Sequence, residues 1–119
     1  MHYHLGIAYR EMELFDYAIT EFETASEDPS IRFDCCIMLG TCHMEKGDYE
    51  KSIDYYKQAS QIKGLSDEKL ARLQFNLGLV YEASGMISEA LDTFKLALKL
   101  DHSLMDAQEK IQKMESLLK

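Results

Sequence analysis

A Leu-Gly pair with a ring three residues further on recurs three times in this chain, and each time the same downstream positions hold a small residue, a second ring and an alanine. The first copy is Leu5, Gly6, Tyr9, Ala18, Phe22 and Ala25; the second is Leu39, Gly40, His43, Ser52, Tyr56 and Ala59; the third is Leu77, Gly78, Tyr81, Ala90, Phe94 and Ala97. Leu5 and Leu39 lie 34 residues apart, and Leu39 and Leu77 lie 38 apart. A period of this length marks one supersecondary unit repeated along the chain, each copy burying its apolar face against a neighbour. Linked interfaces then replace a single globular centre.

The period within each copy is helical. From Ser30 to Lys46, the apolar residues Phe33, Cys36, Ile37, Leu39 and Met44, with Gly40 among them, recur at helical rather than strand spacing. Gly47 supplies a stop that tolerates positive φ, and Asp48 is placed to cap a second helix with a buried stripe of Tyr49, Ile53, Tyr56 and Ala59. Two such helices form an antiparallel hairpin. Glycine inside a helix costs about 1 kcal/mol, so Gly6, Gly40 and Gly78 are expected where the paired helix approaches closely, with Phe22, Tyr56 and Phe94 filling the space beside them.

Three local features carry expectations of their own. Gly64, Leu65, Ser66 and Asp67 supply the extra length between the second and third copies, with Ser66 as a helix cap and Asp67 and Glu68 in the favourable first turn. Glu13 stands in the inter-helix turn where the later copies have Gly47 and Gly85, which predicts a left-handed glutamate. From Ser103 to Lys119 the chain reads as a last helix, with Ser103 and Asp106 as a capping pair, His102 at its start, and Leu104, Ala107, Ile111, Met114 and Leu118 as its apolar stripe. Lys110, Gln112, Lys113 and Glu115 fall away from that stripe.

Taken together, the six positions in three registers resemble the tetratricopeptide repeat (TPR), and the last segment resembles that family's capping helix. Departures are His2, Cys36 and Gln74 where the family often carries Trp, and a single proline, Pro29, near the usual repeat-ending position. The resemblance implies an all-α fold, a right-handed α-solenoid of antiparallel helix pairs with about seven helices in one domain spanning 1–119. Repeat one covers about 1–29, repeat two about 30–64, repeat three about 67–101 and the capping helix about 103–119. First helices would line a concave side and second helices a convex one. By register Met1 already lies inside the first helix, the pattern of a fragment of a longer protein.

Several chemistries are disfavoured. The sequence has no Gly-rich phosphate loop, no H-E-x-x-H helix and no G-x-S-x-G turn, so no enzyme and no cofactor is expected. With 21 acidic and 13 basic residues, the net charge of −8 repels phosphate, which argues against nucleic acid. The acidic excess in repeat one, including Glu21, Glu23, Glu27 and Asp28, reads as a solvated surface, with docking of a basic partner as the sharper alternative. No apolar run approaches the roughly 18 residues of a membrane span, so no membrane insertion is expected. Cys35 and Cys42 are roughly 10 Å apart along one helix, too far to bridge, so Cys35, Cys36 and Cys42 are expected as reduced packing residues, which suits a cytoplasmic setting. A metal site at Cys42 or Cys36 with His43 lacks the paired cysteine knuckle such sites use. His43, at the ring position of the signature, is expected as a packed, hydrogen-bonded core ring. His2 and His4 are expected to be incidental.

What remains is a binding surface, placed by the resemblance. Groove-facing positions read Tyr3, Ile7 and Arg10, then Ile37, Thr41 and Met44, then Phe75, Leu79 and Glu82, an i, i+4, i+7 pattern. At the positions matching a chaperone-terminus clamp stand Tyr3, Ile7, Met38, Arg72 and Asn76, of which only Arg72 is of the clamp's kind. The expected function is a protein–protein interaction module that takes a peptide or helix of a partner in an apolar groove, as a scaffold or assembly factor in a bacterial multi-repeat protein. The alternative is a self-associating, homo-oligomeric or structural segment of a longer solenoid, in which the same residues cover another repeat.

Overall fold

The computed structural model describes every residue from Met1 to Lys119. Seven α-helices account for the regular structure: α1 (His2–Glu11), α2 (Phe15–Ala25), α3 (Arg32–Glu45), α4 (Tyr49–Ser60), α5 (Asp67–Ala83), α6 (Ile87–Leu100) and α7 (Met105–Leu117). A single 3-10 turn, Pro29–Ile31, precedes α3, so the helix expected from Ser30 begins two residues later. There Asp28 accepts hydrogen bonds from the Ser30 backbone N–H and hydroxyl, holding the chain in a tight turn. Two compact units are present, Met1–Ile62 and Lys63–Lys119. The first contains the hairpins α1/α2 and α3/α4; the second contains α5/α6 with α7 packed on α6.

Each hairpin is closed by a glycine set against a ring. A Cβ built on Gly6 would stand 2.7 Å from the Phe22 ring, on Gly40 2.6 Å from Tyr56, and on Gly78 2.5 Å from Phe94. These separations are shorter than any real carbon contact, so the helices reach this spacing only because the side chain is absent. The three rings are essentially inaccessible. Ser52, the small residue of the middle hairpin, is also fully buried, and its hydroxyl donates to the Gly40 carbonyl at 2.6 Å.

The turns joining each pair share one hydrogen-bond pattern. The N–H groups of Leu14, Asp48 and Met86 donate to the carbonyls of Tyr9, His43 and Tyr81 at 2.9, 2.8 and 2.8 Å, and those of Glu13, Gly47 and Gly85 donate three residues back. This is the Schellman closure, which needs a left-handed residue at its corner. Gly47 and Gly85 provide it at φ 87° and 82°, and Glu13 adopts φ 60°. A Cβ in that region is strained. Glu13→Gly is therefore expected to raise stability by about 1 kcal/mol, read as a higher urea midpoint; a lower midpoint would mean that the glutamate side chain contributes something the turn geometry does not show.

Before α5, Gly64 turns the chain at φ 80° and the Ser66 hydroxyl accepts from the Lys69 N–H at 3.2 Å, the expected cap. Ser66→Ala should lower stability by about 1 kcal/mol; an unchanged denaturation midpoint would show that water replaces the cap without loss. Asp48 caps α4 in the same way, accepting from Lys51 N–H at 3.3 Å.

The C-terminal expectations need three corrections. Ser103 does not cap α7. The helix starts at Met105 with Leu104 at its cap position and no side-chain cap bond, because Ser103 is turned back onto Asp101, its N–H and hydroxyl donating to Oδ1 at 3.0 and 2.6 Å. His102 accordingly lies in the turn ahead of the helix. Ala107 and Met114 are buried and Ile111 is half-buried, but Leu118 falls past the helix end and is 49% exposed.

No helix is long and apolar enough to cross a membrane. Cys35, Cys36 and Cys42 are free and buried, and burial pushes the Cys35 and Cys42 thiols up to about 11.

Candidate functional site

In the first unit, Tyr3, Ile7 and Arg10 occupy one face of α1. Tyr3 and Ile7 are half-buried and packed against the cluster of Ala18, Ile19, Phe22, Leu39 and Cys42. The Tyr3 ring meets Phe22 edge-on, with centroids 5.6 Å apart. The ring that closes the hairpin thus also supports the surface residue above it. Arg10 is not an isolated charge: its Nε donates to Glu45 Oε1 at 2.6 Å, strapping α1 to the end of α3.

On α3 the three expected residues differ in availability. Ile37 is only 9% exposed, whereas Thr41 and Met44 are half-buried. The Thr41 hydroxyl donates to the Ile37 carbonyl at 2.9 Å and lies 2.9 Å from the Tyr56 hydroxyl. Burial pushes that phenol up to about 12, despite the opposing Thr41 bond. Thr41 therefore has its proton committed and presents a methyl group and an acceptor. A cleft of about 510 Å³ opens beside Tyr3, between the start of α1, the end of α2 and Ile31.

In the second unit, Phe75 and Leu79 repeat the arrangement on α5, half-buried against Ala90, Phe94 and Met114, with the Phe75 and Phe94 rings 5.5 Å apart. Arg72 is exposed and shares a cleft of about 220 Å³ with Phe75, Glu68, Asp101 and Leu104. Glu82 is engaged from α7: its two oxygens accept from Lys110 Nζ at 2.8 Å and Lys113 Nζ at 3.0 Å. Burial alone would push the Glu82 carboxyl up, yet the two ammonium groups together hold it below the ordinary value. Sequence reasoning set these lysines aside as surface residues. The signal that could have found them was their spacing of three on a helix, which aims both at one acid.

The His43 expectation is corrected in one respect. The ring is packed, 5% exposed and stacked on Tyr55, but its Nδ1 is buried without a hydrogen-bond partner. His2 is less incidental than expected, its Nδ1 lying 2.5 Å from Glu21 Oε2. No cluster of three metal-ligating side chains is present.

The tetratricopeptide repeat family matches residues 34–102, more than half of the chain. The chain belongs to this family. No curated protein sequence matches it significantly. Among solved TPR structures, the first TPR of Spaghetti (RPAP3), bound to HSP90 peptide SRMEEVD, superposes with a TM-score of 0.84 at 13% identity over 98% of this chain and 90% of that one. The Yersinia enterocolitica type III secretion chaperone SycD, in complex with a peptide of the translocator YopD, superposes with a TM-score of 0.82 at 16% identity over 99% and 92%. Pseudomonas aeruginosa pilF superposes with a TM-score of 0.84 at 22% identity over 95% of this chain and 50% of that one. At these identities the likeness establishes the fold, an all-α TPR solenoid of antiparallel helix pairs. TPR domains are protein-interaction folds, and two of these neighbours were solved with a peptide bound.

Proposed function

We infer that this TPR chain is a non-catalytic interaction module that takes a peptide or helix of a partner protein on the apolar faces of its first helices. The observation that carries the reading is the equivalence of Tyr3 and Ile7 on α1 with Phe75 and Leu79 on α5. In both units these residues stop at half-burial, each pair resting on the cluster around its own hairpin's closing ring, Phe22 or Phe94. Rigid, half-exposed apolar side chains backed by a core lose little entropy on docking, the property of binding anchors. Thr41, Met44 and Arg10 extend the first face, and Arg72 with Glu82 flank the second, supplying polar groups at the margin. Two structural neighbours hold peptides, which supports the same use here. An assembly or scaffold role follows if two partners are held at once.

The test is affinity capture from the source cell, comparing the intact chain with an Ile7→Ser, Leu79→Ser variant whose circular dichroism is unchanged. Loss of an anchor worth about 2 kcal/mol lowers affinity roughly thirtyfold, so the partner should disappear from the variant's capture. An identical capture list would end the groove reading. Capture of the chain by itself would favour self-association through the exposed Met12 and Tyr17.

A further inference from the structure

Repeat two departs from its siblings at two equivalent positions. Repeats one and three carry Tyr9 and Tyr81 on the first helix and Leu14 and Met86 at the entry to the second; repeat two carries His43 and Asp48. The backbone relation is unchanged, since all three turns make the same hydrogen bond between these residues. A pair that is neutral at physiological pH has been exchanged for one whose members carry charge at or near it, on the same hairpin closure.

The neutral state leaves that pair unmade. His43 Nδ1 is buried without a partner, and Asp48 Oδ2 stands 4.0 Å away, beyond hydrogen-bond reach. Both residues are held where they are by other contacts. The imidazole lies flat on Tyr55, at an interplanar angle of 11° and a centroid distance of 5.4 Å, while Asp48 Oδ1 caps α4. We propose that the His43–Asp48 closure is an acid-sensitive latch in the α3/α4 hairpin: the Met1–Ile62 unit stays folded while the imidazole is neutral and packed on Tyr55, and loosens when the ring takes a proton.

A proton on the ring creates a cation at a site with little access to water. To answer it, Asp48 must close by about an ångström, either drawing its carboxylate from the first turn of α4 or drawing the ring off Tyr55. The charges around the ring do not remove the conflict. Asp16 and Glu23 face it from α2, Lys46 and Asp48 from the turn, and Lys51 from α4; Glu23, Lys51, Asp54 and Tyr55 line a cleft of about 330 Å³ with it. Burial is the largest influence and holds the imidazole below its ordinary value of 6.5; Asp48 and Glu23 oppose it, and Lys46 and Lys51 reinforce it. With the folded value depressed, the unfolded chain binds the proton more readily. Stability is complete above about pH 6.5 and declines as pH falls below it. Asp16, held below the ordinary carboxylate value by its hydrogen bond and charge pairing with Lys46, loses its contribution only at lower pH.

Urea denaturation of the full chain between pH 7.5 and 5.0 tests the latch, using wild type and His43→Tyr, which restores the ring found in the sibling repeats. The wild-type folding constant should fall by up to about tenfold per pH unit below 6.5, and the variant should lack that decline. Independently of the variant, the His43 ring signal in a proton NMR titration of the folded wild-type chain should show a midpoint below 6.5, lower still in Asp48→Asn. Parallel pH curves for wild type and His43→Tyr, or a ring midpoint at or above 6.5, would overturn the latch. If His43→Tyr does not fold, the ring titration decides.

Discussion

Replacing Phe94 by alanine is expected to cost about 3 to 5 kcal/mol, a large share of the stability of the Lys63–Lys119 unit. The ring is fully buried, forms a cluster with Ala90 and Met114, supports Phe75 and Leu79, and fills the space left open by Gly78. Removing it deletes a large apolar surface and opens a cavity beside Gly78 that the surrounding side chains refill only in part. Small domains have total stabilities of about 5 to 15 kcal/mol, so the loss consumes much of what is available. Leu96 on the same helix is 43% exposed and provides the control. Leu96→Ala should move the urea midpoint little, while Phe94→Ala should shift or abolish the transition. A loss below 1 kcal/mol for Phe94→Ala would mean that the hairpin does not depend on its ring.

Gly78→Ala is expected to destabilise, against the usual direction for a helix-interior glycine. Alanine would ordinarily gain about 1 kcal/mol at such a site through helix propensity. Here the new Cβ would lie 2.5, 2.7 and 2.9 Å from three atoms of the Phe94 ring. Forcing a methyl group into a packed site costs about 1 to 3 kcal/mol, so the clash wins and the net change is a loss. The decisive measurement is a double-mutant cycle. With Phe94→Ala already in place the clash disappears, and Gly78→Ala should turn neutral or stabilising, a coupling of about 1 kcal/mol or more. Additive effects would show that the two residues do not define the spacing together.

The features that sequence reasoning found share one property: each is decided within a single hairpin. The glycine–ring pairs, the left-handed Glu13 and the Ser66 cap follow from helical period and local backbone chemistry, and each is seen at the residue expected. The features it missed depend on a choice between competing local bonds or on distant partners. Ser103 bonds Asp101 behind it rather than the start of α7. Glu82 drew two lysines from 28 and 31 residues away, which no pattern on α5 announces. Ile37 and Thr41 fall on one helical stripe, yet one is buried and the other tied to Tyr56, because the width of an open face depends on what packs beside it. A stripe gives direction, and only the neighbours decide exposure.

The three sulfhydryls of α3 give the chain an oxidation record. Only thiolate reacts at an appreciable rate, and in the folded state all three groups are covered and held above their ordinary values. An oxidant or alkylating agent therefore meets them only during an opening of the Met1–Ile62 unit. Each modified cysteine marks a molecule that has opened at least once, so the modified fraction of an aged sample is a cumulative history of its unfolding excursions.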